Sequence, residues 1–412
     1  VTTTRPLSRP VFHRPDPWTT GPGRVPASYL APIFGSDPGG YYNYADVRSA
    51  KTLDGVPLTT LWDEANAFTS ALNEKRSKLA ALVSYKTTSI ADAIVQTPHG
   101  TNFERASEFG VPTAARSKIE PLMMGYTFQD YDKATRFTKF FLRDATAEHV
   151  RAHLVEIAEA DNRLVNGLVL RRLFDNSSSF NEFGHKVFPL WTGLDGYTPP
   201  PYAGMVHPTQ TSHMLASGAP VLDSGDLEQL IQAVTSKGYG VSQGSQLIIL
   251  CNPSELDQIS TFRRGVPSRP RMAGESVDVL PKYDFIQSAT APAYLTDENV
   301  VGKIAPGEYG GLPVAGSFGP SWIVADHLLP VGYVACVASS GLGSSLSPLA
   351  VREHVSPEYR GLRILPGSVG VSPLVESYFS RGVGCGTRHR GAAAVLQVTT
   401  SNTYTPPNWA WS

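Results

Sequence analysis

The run from Ala134 to Asp175 contains no proline and a single glycine, Gly167, with apolar residues at Phe137, Phe141, Val150, Leu154, Ile157, Ala158, Leu164, Val165, Leu168 and Leu173. That three-to-four spacing predicts a helix with one buried stripe. From about Arg143 to Phe174 it would extend roughly 48 Å at about 1.5 Å per residue, far beyond the usual helix of about 11 to 12 residues. Arg143, Asp144, Glu148, Arg151, Glu156, Glu159, Asp161, Arg163, Arg171 and Arg172 are spread along it, which excludes a membrane span. The stripe keeps no strict heptad and Asp161 falls near its middle, which argues against a coiled coil. What remains is a strut with a wide, flat subunit built around it.

The pattern on either side of the strut divides the chain. Residues 1–60 hold prolines at 6, 10, 15, 17, 22, 26, 32 and 38 among aromatics such as Trp18, Tyr29, Tyr41, Tyr42 and Tyr44, which predicts an extended arm lying on its own or a neighbouring subunit. Residues 61–83 have helical spacing at Leu61, Ala65, Phe68, Leu72, Leu79 and Leu82. Residues 84–133 read as a two-stranded excursion whose ends pack, through Ile90, Ile94, Ile119 and Leu122, and whose polar tip projects. The strut and a loop held by Phe188, Trp191, Tyr197 and Tyr202 fill 134–219. A mixed lobe spans 220–345, with a helix capped by Asp223 or Ser224, an apolar strand at 246–253, a second helix opening at Ser254, and strands at 312–315, 322–325 and 332–337. Residues 346–400 end in two strands, 372–384 and 389–400, expected to return to the sheet beside the strut, and 401–412 form a polar tail. The fold class is α+β.

Composition narrows the function classes. A 41% hydrophobic and 17% charged chain with a formal net charge of −1 is folded and does not clamp nucleic acid through a dense basic face. The three cysteines, Cys251, Cys336 and Cys385, form no C-x-x-C unit, which fits a reducing cytosol and indicates neither a disulfide framework nor a zinc knuckle. No signal-type segment or uninterrupted apolar stretch of about 18 residues occurs, so neither export nor a membrane is expected.

Candidate chemistry is sparse. Gly240-Val241-Ser242-Gln243-Gly244 matches the G-x-S-x-G nucleophile elbow, but a helix precedes Ser242 and a strand follows it, the reverse of the order that exposes the hydroxyl. His149 and His153 lie four apart with no third ligand at matching spacing, as ordinary helical histidines do. The carboxylates Asp130, Asp132, Asp144, Glu156, Glu159 and Asp161 have arginine neighbours and read as a salt-bridged face. Three basic groups, Arg163/Arg171/Arg172, Arg263/Arg264/Arg269 and Arg381/Arg388/His389/Arg390, read as solvated surface or as subunit contacts. No catalytic, cofactor-binding or metal-binding residue is assigned.

At residues 123–176, and again in SPEYRGLRILPG (356–367) and VESYFSRGVGCGTRHRGAAAVLQV (375–398), the chain resembles the HK97-type major capsid proteins of tailed bacteriophages that infect actinobacteria. The resemblance runs in order over most of 60–400. It implies an N-terminal arm, an extended E-loop at 84–133, a spine helix in a peripheral domain, an axial domain inserted at 220–345 and no enzymatic activity. It further implies self-assembly into pentamers and hexamers of an icosahedral head around dsDNA, in the virion, after assembly in the host cytoplasm. The E-loop and arm would touch neighbouring subunits, portal and decoration proteins would be partners, and packaged DNA would be met weakly and without sequence preference. In the fold's type member an E-loop lysine forms an isopeptide bond; here Lys118 lies well down the returning side of the excursion and crosslinking is not carried over. The alternatives are an encapsulin-like compartment of the same fold and a serine hydrolase using Ser242.

Overall fold

The structure, a computed structural model, describes residues 51–74, 77–96, 105, 108, 121–241, 245–272, 274–288, 305–367, 374 and 376–409. Residues 1–50 of the arm expected at 1–60, the tip of the excursion, Lys118 and Ser242 lie outside the described residues, while the rest of that span enters α1 at Leu58.

The helix expected over 61–83 is two helices. In α1 (Leu58–Glu74) the buried positions Leu58, Leu61, Ala65 and Thr69 recur every three or four residues. In α2 (Lys78–Val83) every residue from Leu79 to Val83 is buried. A segment apolar on all sides must sit inside the molecule, so α2 turns inward where α1 runs along the surface. It feeds β1 (Ser84–Thr87), and the excursion then leaves through β2 (Ala91–Ile94) and returns through β3 (Leu122–Gly125), antiparallel from Ala91↔Gly125 to Ile94↔Leu122.

The long apolar run is likewise divided, into β4 (Gln129–Arg136), α3 (Lys139–Asp144) and α4 (Ala147–Phe174). Ala145 and Thr146 are extended, with ψ of 140° and 164°, and this breaks the helix that the apolar stripe alone would carry through them. Two caps fix the new start. The Thr146 amide donates to His149 Nδ1 at 3.3 Å, and the Asp54 carboxylate accepts from the Ala147 amide at 3.1 Å. α4 retains 28 residues, about 42 Å at roughly 1.5 Å per residue.

Two sheets flank α4. The five-stranded sheet contains β1, β15 (Leu349–Glu353), β17 (Glu376–Thr387) and β16 (Arg363–Pro366) in that order, with β4 also paired to β17 from Gln129↔Val383 to Arg136↔Glu376. The seven-stranded sheet has the order β7 (Met214–Ala216), β18 (Ala393–Gln397), β14 (Tyr333–Ser339), β8 (Gln246–Cys251), β13 (Ser321–Ala325), β12 (Gly316–Phe318) and β9 (Phe285–Gln287). Small hairpins β5 (Ser179–Phe180) with β6 (Lys186–Val187), and β10 (Glu308–Tyr309) with β11 (Leu312–Pro313), complete the strands among the described residues. The two closing strands separate: β17 pairs beside the strut as expected, whereas β18 pairs with β14 in the other sheet.

Alternation shows why the seven-stranded sheet forms. In β8, Ile248 and Leu250 face the apolar cluster shared with α4, while Leu247, Ile249 and Cys251 face the cluster beneath α5 (Ser224–Thr235) and α6 (Pro253–Ile259). β14 and β18 alternate the same way. A sheet covered on both faces accounts for the unbroken apolar run of β8, and each fully buried Val, Leu or Ile contributes about 1.5 to 3 kcal/mol. Asp223 caps α5, accepting from the Asp226 amide at 3.0 Å. α6 is capped by Asn252, whose side chain accepts from the Ser254 amide at 3.2 Å, so Ser254 is the second helical residue and not the cap. The expected polar tail is pinned: the Tyr404 hydroxyl donates to Phe174 O at 2.7 Å, and Trp409 packs near the Phe174 ring.

Candidate functional site

The residues singled out by sequence do not converge. Ser242 is outside the described residues, and α5 before it and β8 after it give the helix-then-strand order that a nucleophile elbow lacks. His149 serves the cap of α4, and His153 sits against the rings of Phe137 and Phe141, with Glu156 at 3.7 Å. No group of three or more His, Cys, Asp or Glu capable of holding a metal occurs among the described residues. The three cysteines are buried, and burial pushes the Cys336 thiol up to about 12 and raises that of Cys251, which leaves them poor nucleophiles.

The arginine groups are corrected most. Arg172, Arg269 and Arg390, expected at the surface, are buried and hold elements of their own subunit together. Arg390 is fully buried, stacked on Trp191 at 4.0 Å, paired with Asp195, and bonded to Pro189 O at 2.9 Å. It ties the start of β18 to the 186–204 loop, and burial lowers its guanidinium to about 10. Arg269 joins Asp223 at 2.7 Å and Glu275 at 2.6 Å, fastening the loop after α6 to the cap of α5. Arg172 donates to Ser177 O at 2.8 Å and Asp175 O at 3.1 Å and closes the end of α4.

A second set fixes the base of the projecting excursion. Asp92 on β2 pairs with Arg388 at 2.8 Å and accepts from the Tyr126 hydroxyl at 3.1 Å. Gln96 donates to Arg388 O at 3.0 Å and accepts from the Arg390 amide at 2.9 Å. The excursion is therefore anchored on the turn between β17 and β18. Nothing in the sequence announced this, because the partners are separated by more than 290 positions.

Midway along α4, Asp161 pairs with Arg381 of β17 at 2.6 Å, the two side chains 8% and 13% exposed. Burial raises the Asp161 carboxyl, and the Arg381 charge and hydrogen bond oppose that rise. Two cavities meet at this pair. A polar one of about 560 Å³ reaches Ser77, Lys86 and Glu353, and an apolar groove of about 490 Å³ is floored by Leu164, Leu168 and Phe379.

Large apolar side chains are exposed in loops, Leu194 at 89%, Val206 at 81% and Val331 at 67%, and in the β5–β6 hairpin, Phe180 at 69%. Chemically, the arrangement offers internal ties, an anchored projection and apolar points around the outside. Among the described residues two hydroxyls meet histidines, Thr146 with His149 at 2.9 Å, where the contact belongs to the cap of α4, and Tyr239 with His389 at 3.1 Å, where both side chains are buried.

No protein-family model matches the chain, and no curated protein matches it. Among solved structures, one from Mycobacterium phage Patience is 33% identical, covers 90% of this chain and 97% of its own, and superposes with a TM-score of 0.63. The capsid of an empty GTA particle (12% identity, 79% of this chain and 91% of its own, TM-score 0.43) and the SrpI encapsulin complex of Synechococcus elongatus PCC 7942 (11%, 81% and 91%, 0.40) are more distant.

Proposed function

The chain belongs to the HK97-type major capsid proteins of tailed bacteriophages, a component of the virion shell, and from that premise we propose how its parts serve the shell. The observation that carries the reading is the 33% identity with the Mycobacterium phage structure over nearly the full length of both chains.

In this reading α4 is the spine helix of a peripheral domain completed by the five-stranded sheet, and β2 and β3 are the base of the E-loop. The seven-stranded sheet with α5 and α6 is the axial domain, and it recruits β18 from the C-terminal part of the chain. Residues 1–50 form an arm, shorter than the expected 1–60 because 51–57 pack on the start of α4 and α1 begins at Leu58, and with the E-loop it reaches neighbouring subunits. Pentamers and hexamers close into an icosahedral head around dsDNA, assembled in the host cytoplasm, with portal and decoration proteins as further partners. The near-neutral charge supports a wall that touches packaged DNA weakly, because dense cationic attachment would oppose packing and release. The apolar side chains around the outside support closed assembly, since a shell subunit must present contacts on every edge. The internal use of Arg172, Arg269 and Arg390 supports a non-enzymatic, mechanical subunit.

Cryo-electron imaging of the purified assembly, with assay of its lumen, tests the reading. Icosahedral particles holding dsDNA are expected from infected cells. A protein that stays monomeric at physiological salt would refute it, and icosahedral particles filled with protein cargo would establish the encapsulin-like alternative.

A further inference from the structure

The apolar groove beside Asp161 lies open between α4 and β17. Its floor, Leu164 and Leu168 of α4 with Phe379 of β17, is apolar, and beside the Asp161–Arg381 pair its rim carries Lys133, Arg163 and Arg171 against one acid, Asp132. Leu164 and Leu168 stay half-buried, and nothing among the described residues closes the opening. Gly167 also lines it, at a cost of about 1 kcal/mol relative to alanine in a helix interior, and leaves that stretch of the helix low.

The chain contains a segment with the complementary chemistry. Residues 28–46, SYLAPIFGSDPGGYYNYAD, hold Tyr29, Leu30, Ile33, Phe34, Tyr41, Tyr42 and Tyr44, two aspartates and no lysine or arginine. They lie outside the described residues. The described chain starts at Lys51 beside the first turn of α4, where the Leu53 amide donates to Ala145 O at 3.0 Å and Asp54 caps Ala147. The α4 residues lining the groove run from Ile157 to Arg171, roughly 15 to 36 Å along the helix from Ala147 at about 1.5 Å per residue. An extended chain advances about 3.3 Å per residue, so residues 46 to 28 reach from about 17 to about 76 Å beyond Lys51 and cover that interval with slack. The tip of the excursion, residues 97–120, suits the groove less well, since Arg105, Arg116 and Lys118 would meet the cationic rim.

We propose that residues 28–46 lie along this groove of their own subunit, aromatic side chains on the Leu164–Leu168–Phe379 floor and Asp37 and Asp46 toward the cationic rim. The arm then has two parts. The proximal part is a strap along α4, and residues 1–27 carry Arg5, Arg9, Arg14 and Arg24 against the single acid Asp16. The inference concerns one subunit and stands apart from the shell reading.

The test is a disulfide trap in the full chain, pairing Ala160→Cys at the groove with Tyr41→Cys or Tyr44→Cys in the arm. The native thiols are buried and do not compete. After mild oxidation of a mixture of ¹⁴N- and ¹⁵N-labelled protein, peptide mapping by mass spectrometry is expected to find the crosslink for at least one pair, always between peptides of the same label. A crosslink joining different labels would place a neighbour's arm in the groove and overturn the proposal, as would no crosslink at all. Leu168→Glu gives a second reading, because the half-exposed site can take the change without unfolding. Trypsin cleavage after Arg48 is expected to speed up at least tenfold while the thermal midpoint holds within about 4 °C, and an unchanged cleavage rate would count against the strap.

Discussion

Replacing Arg381 by methionine would leave Asp161 as a carboxylate only 8% exposed with no cation beside it. Removing one partner of a buried pair destabilises by about 3 to 5 kcal/mol, because the remaining charge has lost its compensation. The two adjoining cavities admit water, so the lower end, about 3 kcal/mol, is expected here. The loss should depend on pH. Burial already raises the Asp161 carboxyl in the native state and Arg381 holds that rise down, so removing Arg381 raises it further. An acid whose native pKa lies above its unfolded value, about 3.9, contributes most below that value and loses the contribution as pH rises through the native pKa. Unfolding of the unassembled R381M subunit by denaturant, at matched protein concentration, should therefore show a larger deficit at pH 8 than at pH 5. The double variant Asp161→Leu with Arg381→Met carries no buried charge and should recover most of the loss. A deficit below about 1 kcal/mol at pH 8, an equal deficit at both pH values, or a double variant no better than the single would refute the reasoning.

Burial, reinforced by the neighbouring Asp223, raises the Asp226 carboxyl to about 7 from 3.8. Wild-type stability should then fall between about pH 4 and pH 7, where the unfolded state has released that proton and the native state still holds it, and D226N should flatten the decline in thermal midpoint over the window while still accepting from the Asp223 amide. Tyr404→Phe removes the hydrogen bond to Phe174 O and should cost about 1 kcal/mol, read as faster proteolysis of the C-terminal segment than of the rest of the chain. Leu194→Asp with Val206→Asp alters side chains 89% and 81% exposed, so the subunit midpoint should hold while particle yield by sedimentation collapses; undiminished yield would remove both residues from the assembly contacts.

Local order was legible where the signal is short-range. The unbroken apolar run of β8 and the cap of α5 are written in neighbouring residues, and both appear where the pattern puts them. The break before α4 was legible too, but in a different signal: Thr146 followed by Ala147-Glu148-His149 is a helix start, and counting apolar positions alone ran through it. The destination of β18 was not legible. Ala393, Ala394, Val395 and Leu396 are apolar on both faces, which says the strand is buried but not in which sheet, and the choice is made by pairing with a strand some 60 positions earlier. The arginines misled for the same reason. Arg390 and Asp195 are 195 residues apart, so the sequence shows a basic patch on one side and an isolated acid in an aromatic loop on the other.

These long-range ties also explain how a helix of 28 residues is held. Its first turns pack through Ala147 and Val150 on Leu58, Leu61 and Phe137, and its next through Leu154 and Ile157 on Ala65, Leu362 and Phe379. Its last turns, through Val169, Leu170, Leu173 and Phe174, belong to the cluster between the two sheets. Between these regions, where cavities open on both sides, Val165 joins Val383 and Cys385 of β17 in the same cluster and the Asp161–Arg381 pair adds a polar link to that strand. A leucine at 161 would have continued the stripe, yet it would have faced a polar cavity on one side, where its burial could contribute little. A carboxylate bonded to an arginine of the sheet fixes both distance and direction at that point. The acid that interrupts the apolar pattern therefore adds direction, more than stability, to the contact between α4 and β17.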